Sequence, residues 1–313
     1  MVPGMVHPLS PYPAPEARDD ELAQRTAALG GELVQYGQSV QGRRLLAARL
    51  GPTGDSVTGC PRVLVTANLH GVEYIGSRLA MGVLQEHPPE EIVALRQEAE
   101  LWVIPCLNPD GYARTWEQQG QGTVAQLRSN AHGVDLNRNF PLPNGAVRRR
   151  LPGAGSTTPG AATYVGPSPL SEPESASLSQ LLQQQRFAAA INIHSFLGRT
   201  IPAHVTDRES YKTYASLCRT FSQAQKHWRY PRLASRWLDT FTGELEDYQH
   251  HHLGTWAMCL ETFSIPASLR QNLRAPSTFF RFNPRDPEPW VQNDVPAIGA
   301  FLQQAIVLAS PLQ

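Results

Sequence analysis

Apolar positions along this chain fall into short unbroken runs separated by stretches with helical spacing. RVLVTANL (62–69), ELWVIPCL (100–107), FAAAINIH (187–194) and TWAMCLETF (255–263) are apolar on consecutive positions, the pattern of strands buried on both faces of a sheet. The stretches 74–87, 171–185 and 209–226 place their apolar residues at helical spacing, and a final helix is expected near 291–308. For the second of these, Ser171 reads as the N-cap, with Pro173 in the first turn and Glu174 as its capping-box partner. LVQYGQSVQGRRLLAARLG (33–51) reads as an early strand pair. Strands alternating with helices predict an α/β fold, with a mixed, largely parallel central sheet flanked by helices.

No internal repeat or long linker divides the chain, so residues 19–313 are expected to form one domain behind a loosely held, proline-rich leader at 1–18. The stretch from about 108 to 170 carries Gly, Pro, Ser, Asn and Arg with little periodicity, and it is too long for an ordinary connection. Structured loops of that length are often functional.

Charge and cysteine content remove several alternatives. Lys+Arg and Asp+Glu are both 27, which leaves no electrostatic case for a nucleic acid or an anionic membrane surface as partner. No apolar run approaches the roughly 18–20 residues of a membrane span. The start lacks a basic segment followed by an apolar one, so no signal peptide is read and a cytoplasmic location is expected. Cys60, Cys106, Cys218 and Cys259 form no CxxC pair and are read as reduced, with a disulfide left open.

Polar residues at the ends of the apolar runs carry the candidate chemistry. The first run ends in Asn68-Leu69-His70-Gly71-Val72-Glu73, where a His-x-x-Glu at a strand-to-helix junction can aim an imidazole and a carboxylate at one point. The same pattern also opens ordinary helices, where Glu73 would favour the positive end of the dipole. The third run ends in His194, at the edge where open α/β sheets build their sites; a satisfied core histidine is the alternative. Two imidazoles and a carboxylate with one open position form a catalytic zinc set. In the fourth run a single carboxylate, Glu261, interrupts apolar residues, a costly placement unless the group is paired or used. Beside a zinc-activated water it would serve as general base; a strand-end ion pair is the other reading.

The ordered blocks NLHGVEYIG, PCLNPDGY, RSNAHGVDLNRNF, YVGPSPLSEPES, INIHSF and CLETF resemble the zinc carboxypeptidase family, which includes the carboxypeptidase A and B types. NPDGY followed by GVDLNRNF is the specific part, and the resemblance runs from about residue 30 onward. It implies one zinc ion held by His70, Glu73 and His194, with Glu261 as the base that later protonates the leaving amine. It implies further that Arg128 stabilises the oxyanion and that Asn137 and Arg138 grip the substrate's terminal carboxylate. Asp135 would steady His70 through its second ring nitrogen. If 135–137 is extended, Asp135 and Asn137 share one face and Leu136 takes the other.

Departures from the family pattern touch specificity. Val72 stands where digestive members carry an arginine, and the family's mobile capping tyrosine has no clean counterpart, since Tyr248 reads as packing. A loose match puts Leu245 at the base of the specificity pocket, which would suit an apolar side chain. His250–His252 and Arg148–Arg150 read as solvated loop. The large pro-segment of secreted members is not expected here, and together with the cytoplasmic reading this leads to an expected place among the bacterial branches that trim peptides, murein-derived ones included. The expected activity is zinc-dependent removal of a C-terminal residue from a peptide with a free carboxylate. A zinc deacylase of small N-acyl amino acids and a non-catalytic carboxylate-binding module are the alternatives.

Overall fold

A computed structural model describes residues 7–53, 59–148, 153–237 and 241–309. In chain order the elements are α1 (Pro15–Ala28), β1 (Glu32–Gln38), β2 (Arg44–Leu50), β3 (Arg62–Ala67), α2 (Tyr74–Val83), α3 (Glu90–Glu98) and β4 (Glu100–Ile104). There follow α4 (Pro109–Glu117), α5 (Val124–Arg128), a 3-10 turn at Leu136–Arg138, α6 (Pro173–Gln185), β5 (Ala189–Ser195), β6 (Arg199–Pro202) and α7 (Arg208–Ala224). The last are α8 (Leu245–Leu253), β7 (Trp256–Thr262), α9 (Ile265–Arg274), α10 (Thr278–Phe282) and α11 (Glu288–Ala309).

The seven strands lie in the order β1-β2-β4-β3-β5-β7-β6. The sheet is mixed, as expected: β4, β3, β5 and β7 run parallel at its centre, while β1, β2 and β6 join antiparallel at the edges. Side-chain alternation divides the central strands between two cores. Val63, Val65, Ala67, Ile191, Ile193, Met258 and Leu260 face the larger one, which α2, α3, α7 and α11 cover. Leu64, Ala190 and Ala257 face the other, closed by α6 and α8. His194 and Glu261 belong by parity to this second face, the side of α8. From β3 the chain crosses first to β4 on one side and then to β5 on the other, so the carboxyl ends of β3 and β5 flank a topological switch point.

Three expectations change. Residues 7–18 are not a loose leader: Leu9 and Tyr12 are buried in the larger core, the Tyr12 hydroxyl donates to Pro284 O at 2.7 Å, and α1 already begins at Pro15. Residues 1–6 lie outside the described part. The stretch after residue 108 contains α4 and α5, too short to leave a periodic signature. Ser171 is not an N-cap, because its hydroxyl pairs with Asn139 and Glu172, and Glu174 reaches Val40 N and Asn130 instead. The capping box sits on α5, between Thr123 and Gln126. No helix among the described residues is long and apolar enough to cross a membrane.

Candidate metal centre and active site

His70 and Glu73 lie in the short turn between β3 and α2, and His194 is the sixth residue of β5. The turn is held from below by NPDGY. Asn108 caps α4 by accepting from Gly111 N at 2.8 Å and donates to Leu69 O at 3.2 Å, so one side chain ties the helix start to the metal turn. Gly71 and Gly111 are in backbone contact, and a Cβ on Gly71 would collide with Gly111. Asp110 anchors the other side through Ser39 Oγ at 2.7 Å and Gln41 N at 2.9 Å. These clamping roles were not legible in the sequence beyond the motif itself.

Three donors converge. His70 Nδ1 lies 2.8 Å from Glu73 Oε1, His194 Nδ1 lies 2.9 Å from Glu73 Oε2, and the two Nδ1 atoms are 3.1 Å apart. Among the described residues this is the group able to hold a metal, with its ligand atoms all within 4.8 Å of one another and all buried. Tetrahedral zinc with ligands at about 2.0–2.1 Å separates its donors by about 3.3 Å, so the set fits zinc. Two facing imidazole nitrogens also cannot both carry hydrogen at 3.1 Å, a conflict a shared cation removes. Glu73 is held down at about 2: burial opposes its charge, and the two histidines outweigh burial.

Asp135 supports this centre from the side. Its Oδ1 sits 3.1 Å from His70 Nε2, and its Oδ2 accepts from Arg128 Nε at 2.9 Å. Burial raises the Asp135 pKa, but Arg128 and His70 together drive it far below the usual carboxylate range. The His70 Nε2–H is thereby fixed on a carboxylate and Nδ1 keeps its lone pair. Asp135→Ala is expected to weaken zinc affinity about 10- to 100-fold, measured by competition with a fluorescent chelator.

The segment around Asp135 is a 3-10 turn and not an extended strip. Asp135 Oδ1 accepts from Asn137 N at 3.0 Å, and this local bond curls the chain. Asn137 Oδ1 accepts from Leu245 N at 3.0 Å and so caps α8, while Leu136 is buried in the α8-side core. The Arg138 guanidinium reaches Asn137 O at 2.7 Å, Gly153 O at 3.1 Å and Glu244 Oε1 at 3.1 Å. Gly243 permits this approach: its φ is +89°, and a Cβ there would stand 2.7 Å from Arg138 O.

Glu261 pairs in register with His194 across β5 and β7 and is half-buried, accepting from Leu197 N at 3.3 Å. Burial, with Glu73 adding to it, lifts its pKa to about 8, against the pull of His70 and Arg128. Arg128 lies within electrostatic reach of Asp135, Glu73 and Glu261.

Other residues take structural positions. Tyr248 stacks on Phe140 and its hydroxyl meets Ser179 Oγ at 2.7 Å. Leu245, expected at the base of a specificity pocket, is fully buried with Phe140 and Tyr248 in the α8-side core. His250–His252 are helical, in α8, and their rings bond to Tyr214, His204 and Leu142. Arg148 is half-buried against the backbone of Thr242 and Arg138, whereas Arg149 and Arg150 lie outside the described residues. The four cysteines are unpaired.

Comparison with known proteins gives one consistent answer. The sequence model of the zinc carboxypeptidase family matches residues 21–272. Carboxypeptidase D of Drosophila melanogaster is 37% identical over 123 residues, which are 37% of this chain and 8% of that one. The carboxypeptidase N catalytic chain of Rattus norvegicus is 35% identical over 118 residues, covering 35% of this chain and 26% of its own length. The chain therefore matches about a quarter or less of these curated relatives. Among solved structures, bovine thrombin-activatable fibrinolysis inhibitor superposes with TM-score 0.74 at 16% identity, over 96% of this chain and 99% of that one. Carboxypeptidase A from Helicoverpa armigera gives TM-score 0.72 at 20% identity, over 97% of this chain and 75% of its own.

Proposed function

This chain belongs to the zinc carboxypeptidase family, and we propose that it removes the C-terminal residue of peptides by zinc-dependent hydrolysis. The observation that carries the reading is the convergence of His70 Nδ1, His194 Nδ1 and Glu73 beside Glu261, with two arginines on the adjoining wall. Zinc, when bound by these three residues, supplies a Lewis acid that activates water and polarises the scissile carbonyl. Glu261 takes the proton of the attacking water and later delivers it to the departing amine. Arg128, held by Asp135, points its remaining N–H donors at the oxygen that gains charge. Arg138 and Asn137 bind the terminal carboxylate, for which a guanidinium fork is well matched.

Binding a free carboxylate has a direct test. Peptides with a free C-terminus are expected to be cut at least about 100-fold faster, in kcat/KM, than the same peptides amidated, because the half-buried Arg138 would otherwise face an uncharged amide. Equal cleavage of both forms would overturn the carboxylate grip. An N-acyl amino acid run beside the peptides separates a peptidase from a deacylase.

A further inference from the structure

The metal turn has a second clamp, supplied from far along the chain. Asn283 closes α10 as its C-cap residue and is fully buried. Its Oδ1 accepts from Ile75 N at 2.9 Å, and its Nδ2 donates to Val72 O at 2.8 Å. These two backbone groups stand on either side of Glu73, so one side chain spans the ligand. Nδ2 also donates to Phe279 O at 2.9 Å, so both its hydrogens and the oxygen are engaged.

Glu73 itself makes this clamp necessary. It occupies the N-cap position of α2, where a side chain ordinarily accepts from a free N–H of the first turn. Here the carboxylate is turned to His70 and His194 and makes no capping bond among the described residues. Tyr74 N and Gly76 N find backbone acceptors in Val72 O and Glu73 O, which leaves the N–H of Ile75. Ile75 is wholly buried, so water cannot serve that donor. Asn283 supplies the missing cap from another part of the chain. The clamp is anchored in turn: Gln271 Nε2 of α9 donates to Asn283 O at 2.7 Å, and Ser268 Oγ donates to Arg281 O at 2.6 Å. Phe279 packs edge-on against Tyr74, with ring centres 5.0 Å apart.

We propose that Asn283 is a positioning residue of the metal centre, holding the backbone around Glu73 so that its carboxylate is free to bind the ion. The inference rests on zinc held by His70, Glu73 and His194. A carboxylate at a helix N-cap can serve a metal only when another group takes over the capping. Asp135 steadies His70 through its ring, and Asn283 does the corresponding work for Glu73 through the main chain.

The experiment compares the zinc affinity of the full chain and its variants by competition with a fluorescent chelator. Asn283→Ser keeps a hydroxyl able to bond Phe279 O, four residues back, but is too short to span the metal turn. Asn283→Ala removes all three side-chain bonds. Ser277→Ala removes the N-cap of α10, whose hydroxyl accepts from Phe280 N at 3.3 Å, and leaves the metal turn untouched. Both Asn283 variants are expected to bind zinc at least about 10-fold more weakly, whereas Ser277→Ala keeps wild-type affinity even at a lowered Tm. Cobalt in place of zinc gives a second readout: its visible bands are expected to shift in Asn283→Ser and not in Ser277→Ala. Wild-type zinc affinity or unshifted bands in Asn283→Ser overturns the proposal. So does an equal loss of affinity in Ser277→Ala, which would mark a general loss of stability. Should Asn283→Ala fail to fold, Asn283→Ser carries the comparison. A wild-type chain that binds no zinc would count instead against the metal centre, and the two failures are distinguishable.

Discussion

Glu261→Gln is expected to reduce kcat about 10³- to 10⁴-fold with zinc content unchanged. The substitution keeps the shape and an oxygen for Leu197 N–H, so it removes proton transfer while sparing the fold. Its own environment sets the pH dependence. Without metal the carboxyl stands at about 8, lifted by burial and by Glu73. A dication at the His70–Glu73–His194 group adds an attractive charge and must lower that value. The base has to be ionised, so kcat/KM falls as pH drops through its pKa. The acid limb of the zinc enzyme is therefore expected below about 8, and it should vanish in Glu261→Gln. Wild-type kcat with Gln at this position would end the assignment of Glu261 as base.

Stripping the metal is expected to act on both rate and stability. Dialysis against a strong chelator, or His194→Ala, should lower activity on the order of 10⁴-fold or more, since the electrophile and the source of activated water go together. Chelation of the wild type leaves two imidazoles and a carboxylate crowded in a buried site, and a bound ion stabilises the folded state in proportion to ln(1 + [Zn]/Kd). Calorimetry should show a lower Tm after chelation, restored by zinc in the wild type and not in His194→Ala. Activity that survives chelation, with zinc absent by elemental analysis, would refute the metal centre.

The strand ends were readable in the sequence because a lone charged or imidazole group closing an apolar run has few inexpensive explanations. His194 and Glu261 are found side by side across β5 and β7. The two-sided apolar runs likewise announced the parallel centre of the sheet. What escaped was governed by local hydrogen bonding or by distant packing. Asp135 curls its own backbone by accepting from Asn137 N, and an alternation rule is blind to that competition. Ser171 has the residue type of a cap, but Asn139, brought in from another segment, claims its hydroxyl. Tyr12 sits in a proline-rich start and yet packs edge-on against Tyr74 and against Phe279, the latter separated from it by most of the chain.

The ion pair between Arg138 and Glu244 has a consequence for turnover. A tethered carboxylate 3.1 Å from the anchor is an internal competitor, present at high effective concentration whenever the cleft lacks substrate. Under the carboxylate grip proposed above, an incoming C-terminus must displace it, so the observed affinity is the intrinsic one reduced by the fraction of time Arg138 is free. On the same proposal, re-pairing of Glu244 with the guanidinium after cleavage opposes rebinding of the liberated amino acid. On that proposal, weaker capture is exchanged for weaker inhibition by product.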